Sequence, residues 1–286
     1  MIKISVILAT KNEEKNIEVC IKSILKQNMP RDNYEIILVD NNSTDKTKEI
    51  AKKYLQYVYN FPPLKKKVNI KSFRGSQLNF GVNKAKGKII FFPDTDMTFD
   101  GKLMEEVSDL ILNHDLEALY IPETVIGKGL LGKIRNFERS FYNQTSIDAV
   151  RFVKRDFYLK IGGFDEENIV FGPDDWDFNL TVNKNTNKIG ITKSCLFHHE
   201  ENLTIFKYFK KKAKYISTLE PYIRKWGKNN PAIRKQFGFF YRYIGIFVEK
   251  GKWKKIISNP VLSLLAFTLK ISLGVMYLSK KFFSKE

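Results

Sequence analysis

Apolar positions in the first hundred residues follow two rhythms. ISVILA at 4–9 and EIILVD at 35–40 are short, unbroken apolar runs rich in β-branched residues, which read as strands buried on both faces. KIIFF at 88–92 has the same texture, and YVYNF at 57–61 reads as a weaker strand. Between the runs, apolar residues fall at helical spacing. Ile17, Cys20, Ile21 and Ile24 mark a helix with Asn12 as the expected cap. Ser43 or Thr44 is expected to cap a second helix reaching about Tyr54, and Arg74 to Ala85 reads as a third, ended by Gly87. This β-α-β-α-β order predicts an α/β fold with a parallel sheet covered by helices. Ligands of such sheets gather beyond the carboxyl ends of the strands.

After residue 100 the pattern predicts a helix at 103–112, a strand over ALYIPETV (118–125) and an amphipathic helix over 130–143. AVRFVKR, a Gly-Gly-Phe turn at 162–164 and FGPDDWDFNL (171–180), which opens a helix, come next. No internal repeat or low-complexity linker interrupts the chain. Its opening, MIKISVILATKNEE, has too short an apolar run to read as a cleavable signal peptide.

Charge divides the chain. The whole carries +18, but residues 1–202 hold 30 Lys and Arg against 28 Asp and Glu, a net of +2. Residues 203–286 hold 19 against 3, a net of +16, interleaved with Phe, Tyr and Trp. The expected division is therefore a balanced domain at 1–202 and a basic, aromatic-rich helical region at 203–286. A nucleic-acid binder is not expected, because the positive charge is confined to one end. The two cysteines, Cys20 and Cys195, lack metal spacing and read as packed thiols of a reducing compartment.

The chemistry concentrates at strand ends. Asp94 and Asp96 follow KIIFF with only Thr95 between them. Two carboxylates so close are unfavourable unless a cation or a proton accompanies them. Hard oxygen ligands in this spacing suit Mg²⁺ or Mn²⁺ while leaving positions for substrate phosphates. Asp-x-Asp alone reads first as a solvated turn, and Asp40 alone first as a helix cap; together they occupy one rim of the sheet. Asp174, Asp175 and Asp177 open a helix, where negative charge also offsets the helix dipole. His198 and His199 lie at what reads as a strand end.

Taken in order, these elements resemble the family 2 glycosyltransferases, the inverting class on the GT-A fold. VILATKNEE resembles that family's Pro-Thr-Tyr-Asn-Glu-Glu element, and LVDNNSTD its Val-Asp-Asp-Gly-Ser-Thr-Asp. RGSQLNFGVNKAKGKIIFFPDTD resembles the Arg-Gly…Asn-x-Gly…Ala-x-Gly stretch leading into Asp-x-Asp. GGFDE with GPDDWDFNL resembles the acceptor-side segments, and HHEENL a later His-x-Glu. The resemblance runs from about residue 3 to 202.

The resemblance implies a role for each matching position. Ala9, Thr10, Lys11 and Glu13 would line the pocket for a nucleotide base and ribose, with Asp40 hydrogen-bonding the base. Arg74 would stand near the donor diphosphate. Asp94 would reach the ribose or the metal, Thr95 would belong to the same donor site, and Asp96 would ligate the metal. His198 would complete the metal shell. Asp175 would be the general base that deprotonates an acceptor hydroxyl, with Asp174 as the alternative, because Pro173-Asp174 stands where glycine-glutamate is commoner. Lys11 stands in place of an aromatic, which leaves UDP and GDP donors both open.

Residues 203–286 lie outside the resemblance. PVLSLLAFTLKISLGVMYL (260–278) carries one charge, Lys270, and has basic flanks. Its length suits either a single C-terminal anchor or a helix lying on the surface. The expectation is an enzyme at the cytoplasmic side of the cell membrane, held to an anionic membrane surface. It would move a sugar from a nucleotide-sugar donor to a lipid-linked or glycan acceptor, without nucleic acid. A sugar-phosphate nucleotidyltransferase would share the carboxylate–metal chemistry, but no Gly-rich, Lys- or Arg-bearing phosphate loop stands near the N-terminus.

Overall fold

A computed structural model of the chain describes residues 1–62, 74–169, 172–216 and 218–283. The chain forms two compact units: Met1–Pro122 with Ala149–His198, and Glu123–Asp148 with His199–Glu286. Division at residue 202 leaves Glu123–Asp148 with the first part; the structure groups it with the second.

β1 (Ile4–Thr10) is buried along its apolar run, as a strand covered on both faces requires. α1 (Ile17–Leu25) buries Ile17, Cys20, Ile21 and Ile24, but Asn12 does not cap it. Asn12 instead has a positive φ of 56°, and its side-chain oxygen accepts from the Thr44 amide at 2.8 Å. β2 (Tyr34–Asp40) lies parallel to β1, with Thr10 opposite Asp40. α2 (Thr47–Lys52) begins beyond both expected caps, Ser43 and Thr44. Asp45 accepts from the Thr47 amide at 3.0 Å, a local turn that competes with helix at this point.

β3 (Tyr57–Asn60), α3 (Arg74–Lys84) and β4 (Ile89–Phe91) come next. Gly87, between α3 and β4, sits where a Cβ would lie 2.5 Å from the Ser5 amide nitrogen, so only glycine fits the approach to β1. β5 (Met97–Phe99) and α4 (Leu103–Leu112) lead to β6 (Ala118–Tyr120) and β7 (Glu123–Ile126). ALYIPETV is thus two strands rather than one, broken at Pro122, which has no amide hydrogen to give a ladder. α5 (Gly129–Arg139) ends four residues before the expected 143. β8 (Phe152–Lys154), α6 (Arg155–Lys160), α7 (Asp174–Asn185), β9 (Ile189–Ile191) and β10 (Leu196–His199) complete this part of the chain.

The first unit is built on a seven-stranded sheet in the order β3-β2-β1-β4-β8-β6-β9. β3, β2, β1 and β4 are parallel, and β8 is antiparallel to both β4 and β6, so the sheet is mixed. Side chains alternate between its faces: Ile4, Val6 and Leu8 enter one core cluster and Ile7 the other. β5 pairs antiparallel with β10, which sets Met97 opposite His198.

The second unit adds α8 (Ile205–Ile216), α9 (Leu219–Trp226), α10 (Pro231–Phe237), α11 (Ile246–Val248), α12 (Trp253–Ser258) and α13 (Pro260–Phe283). Ile134 of α5, Tyr208 of α8, and Ala266 and Leu269 of α13 share its apolar cluster. Beside them lies a buried ionic group. Arg135 donates to Glu138 at 2.6 Å and to Glu200 at 3.1 Å. Lys270 donates to the Tyr142 hydroxyl at 2.8 Å and lies 3.5 Å from Glu138. Burial pushes the Lys270 ammonium down to about 7. Glu138 is also penalised by burial, yet Lys270 and Arg135 hold it at about 2. Among the described residues, no helix is long and apolar enough to cross a membrane.

Candidate active site

The site collects at the carboxyl ends of β1, β2 and β4 and at the start of α7. Arg74, the first residue of α3, is its hub. Its Nε donates to Asp94 at 3.1 Å, and its Nη1 donates to Asp174 at 2.8 Å and to Asp175 at 2.7 Å. One guanidinium therefore joins the Asp-x-Asp segment to carboxylates 100 and 101 residues along the chain from it. Arg151 donates to the other oxygen of Asp94 at 2.9 Å. Burial alone would raise the Asp94 pKa, but Arg74 and then Arg151 hold the carboxyl well below the usual carboxylate range. Asp174 differs. Burial, opposed by Arg74 and reinforced by the charge of Asp175, pushes it up to about 6.

Asp96 points elsewhere. Its Oδ2 lies 3.1 Å from Nε2 of His198, a consequence of the β5–β10 register. The pair offers one carboxylate oxygen and one imidazole nitrogen, donors that suit Mn²⁺. Among the described residues, no group of three or more His, Cys, Asp or Glu is placed to hold a metal ion. Glu13 faces this pair across the rim. Its carboxyl is raised by burial, is hydrogen-bonded by Asn16 and Thr95, and feels the charges of Asp96 and Asp94.

The positions expected to meet the nucleotide base are tied to one another. Asp40 is fully buried. Its carboxylate accepts from the Ser43 amide at 2.8 Å, the Ser43 hydroxyl at 2.5 Å and the Thr10 hydroxyl at 3.3 Å. Thr10 is buried as well, Ala9 half-buried and Lys11 exposed. Asp40 thus ties the loops after β1 and β2 together, and the Ser43 hydroxyl in turn accepts from the Asn12 amide at 2.9 Å.

Packing beneath the rim supports the carboxylates at the start of α7. Phe92, Phe164 and Phe178 form one aromatic cluster, with Phe164 stacked on Phe178 at 4.4 Å between centroids. It joins the end of β4 to the Gly-Gly-Phe turn and to α7. Asn79 of α3 clamps that turn: it donates to the Phe164 carbonyl at 2.9 Å and accepts from the Phe164 amide at 3.0 Å. Gly163 has φ +68°, and a Cβ there would lie 2.7 Å from the Asn79 side-chain oxygen. Phe171, ahead of α7, lies outside the described residues.

The structure thus brings Glu13, Arg74, Asp94, Thr95, Asp96, Asp174, Asp175 and His198 together. It leaves Thr10 and Asp40 as buried supports. Two further residues belong here. Arg151 stands just ahead of β8 and is buried, and a buried guanidinium needs a partner to offset its charge. Gln77 donates to the carbonyls of Thr10 at 3.1 Å and Val39 at 2.8 Å, bracing both strand ends. Nothing in the local pattern of α3 singles it out.

The chain belongs to glycosyl transferase family 2, whose pattern it matches over residues 5–161. It is 28% identical over 166 residues to poly(ribitol-phosphate) beta-N-acetylglucosaminyltransferase TarS of Staphylococcus aureus, covering 55% of this chain and 26% of TarS. It therefore spans about a quarter of that relative's length. A second relative is a dolichyl N-acetyl-alpha-D-glucosaminyl phosphate 3-beta-D-2,3-diacetamido-2,3-dideoxy-beta-D-glucuronosyltransferase of Methanococcus voltae. Identity there is 27% over 270 residues, covering 86% of this chain and 81% of that protein.

Solved structures agree on the fold. The mannosyltransferase PcManGT of Pyrobaculum calidifontis, solved with GDP-Man and Mn²⁺, matches with a TM-score of 0.60 at 16% identity, over 99% of this chain and 88% of that one. S. aureus TarS 1–349, solved with UDP-GlcNAc, matches with a TM-score of 0.55 at 17% identity, over 95% and 81%. The architecture is the GT-A fold of these transferases.

Proposed function

We propose that the chain transfers a sugar, with inversion at the anomeric carbon, from a UDP- or GDP-sugar to a hydroxyl of a lipid-linked or cell-surface glycan. The observation that carries this reading is Arg74, which binds the Asp-x-Asp segment and the Asp174–Asp175 pair at once. A donor diphosphate and an acceptor hydroxyl must meet at one point, and a residue that holds both segments suits that point. Relatives named for glycan and dolichyl-phosphate acceptors, and neighbours solved with UDP-GlcNAc and GDP-Man, support both halves of the reading.

Asp96 and His198 would hold a divalent cation, Mn²⁺ or Mg²⁺, together with diphosphate oxygens. When bound, the cation supplies Lewis-acid stabilisation of the departing nucleoside diphosphate. Arg74 meets the same developing charge from the side of Asp94. Glu13, Ala9, Thr10 and Lys11 would frame the nucleoside, with Asp40 fixing the loops that form the frame. A carboxylate of the Asp174–Asp175 pair takes the acceptor hydroxyl's proton as the oxygen attacks the anomeric carbon. The glycosidic bond to phosphate breaks on the opposite face, through an oxocarbenium-like state.

The basic second unit would hold the enzyme at the cytoplasmic side of the cell membrane, where a lipid-linked acceptor presents its glycan. Incubation with a panel of nucleotide sugars and Mn²⁺ tests the reaction. The expected product is UDP or GDP. Release of pyrophosphate from a nucleoside triphosphate and a sugar phosphate would instead make the chain a nucleotidyltransferase.

A further inference from the structure

Exposed apolar surface is concentrated in the second unit. Among the described residues, fifteen of the nineteen large apolar side chains that stand exposed belong to Glu123–Asp148 or His199–Glu286. Scattered apolar residues on a surface need no explanation, but a concentration of this kind does.

α13 shows how it is organised. Val261, Leu264, Ile271 and Val275 recur at helical spacing along one face and are 55–69% exposed. Ser263, Ala266, Leu269 and Lys270, on the other face, are buried. Lys270 is held there by the Tyr142 hydroxyl and Glu138, with its ammonium over the Phe247 ring at 5.1 Å. Just ahead, α12 exposes Trp253 and Ile257, one helical turn apart, among the exposed Lys250, Lys254 and Lys255.

We propose that the exposed face of α13, with Trp253 and Ile257 ahead of it, docks on an anionic lipid bilayer and lies in its plane. This deepens the membrane reading given under Proposed function and rests on it. A lone spanning helix buries its whole circumference in hydrocarbon, whereas α13 has one face committed to Glu138 and Tyr142 through a buried ammonium. A helix lying in the interface needs one apolar face and basic flanks, and α12 and α13 have both. Charge complementarity selects the occupant. Residues 203–286 carry a net +16, each cation near an anionic headgroup adds attraction, and tryptophan favours the headgroup level. At 24 residues, α13 would lie along about 36 Å of bilayer surface.

Flotation of the full chain with phosphatidylcholine vesicles, with and without phosphatidylglycerol, tests this. The wild type should float with the anionic vesicles and far less with the neutral ones. Leu264→Asp with Ile271→Asp should reduce the bound fraction about tenfold, because the apolar contribution is lost. Thermal unfolding and Mn²⁺-dependent binding of nucleoside diphosphate should stay unchanged in that variant, since both positions are exposed and far along the chain from the carboxylate rim. Lys250→Gln with Lys254→Gln should weaken flotation at low salt and leave less to be lost as salt is added. Failure of the wild type to float, or flotation of the double aspartate variant at the wild-type level, overturns the proposal. A wild-type dimer that the aspartates dissociate, without flotation, would assign the face to a second copy and also overturn it. Nucleoside diphosphate binding that persists without flotation would sink the lipid surface while leaving the transferase reading standing.

Discussion

At the scale of single residues, the site is a balance of acids against two arginines and a histidine. Asp94 is kept ionised by two guanidiniums, whereas Asp174, bound to the same Arg74, is pushed up to about 6 by burial. Two carboxyls in one site with divergent proton affinities are what acid–base work requires. If the pair supplies the base, kcat/KM should fall below about pH 6, and Asp174→Asn should move that limb to lower pH. A limb that stays in place in the variant would remove Asp174 from the titration. Stability should show the opposite trend. The folded state holds the Asp174 proton to higher pH than the unfolded state does, so this group's contribution declines as pH rises from about 4 to 6. Asp175→Asn should lower kcat by about a hundredfold or more with little change in donor affinity, since a base acts in the transition state. Lost donor affinity would contradict the role. His198→Ala should raise the Mn²⁺ concentration needed for half-maximal nucleotide binding, and an unmoved titration curve would make the histidine structural. The residue types at the rim were readable because ionised groups at strand ends need a reason. Arg151 and Gln77 were harder to find, because their partners lie far off in sequence.

At the scale of elements, strands were read more accurately than helix starts. A buried parallel strand is an unbroken apolar run, and β1, β2 and β4 show it directly. Helix starts were misplaced at Asn12 and at Ser43 because these side chains bond to each other's loops instead of capping. Both belong to the stitching of the β1 and β2 ends, a contact across the sheet that local pattern does not reveal. The Gly-Gly-Phe turn matters for the same reason. It carries Phe164 into the aromatic cluster that supports the start of α7, and Asn79 holds it. Asn79→Ala should destabilise the fold by about 1–3 kcal/mol, through loss of hydrogen bonds at a half-buried turn. It should also lower turnover, as Asp174 and Asp175 lose their fixed distance to Arg74. Denaturant unfolding and initial rates measure the two effects, and an unchanged rate in a destabilised variant would show that the turn does not position the pair.

At the scale of the whole molecule, charge asymmetry was legible from composition, but the internal structure of the basic part was not. Lys270 appeared in the sequence as the one charge within an apolar stretch, compatible with a helix in or on a membrane. Its partner Glu138 lies 132 residues earlier, in a segment read as part of the catalytic half. No local periodicity links them. Lys270→Met should therefore lower the melting temperature by unpairing Glu138, at a cost of about 2 kcal/mol because Arg135 remains beside it. A spanning helix would instead gain from loss of its only charge, so a more stable variant with tighter membrane association would contradict the packing described.

Asp96 is proposed to anchor a cation against the donor diphosphate. Calorimetric titration of UDP and GDP into the wild type and Asp96→Asn, each with and without Mn²⁺, tests it most directly. One of the nucleotides should bind the wild type at least tenfold more tightly with Mn²⁺, and Asp96→Asn should fold normally but lose this enhancement. Equal enhancement by Mn²⁺ in both proteins, or tight binding in both without it, would exclude Asp96 as the anchor of a cation.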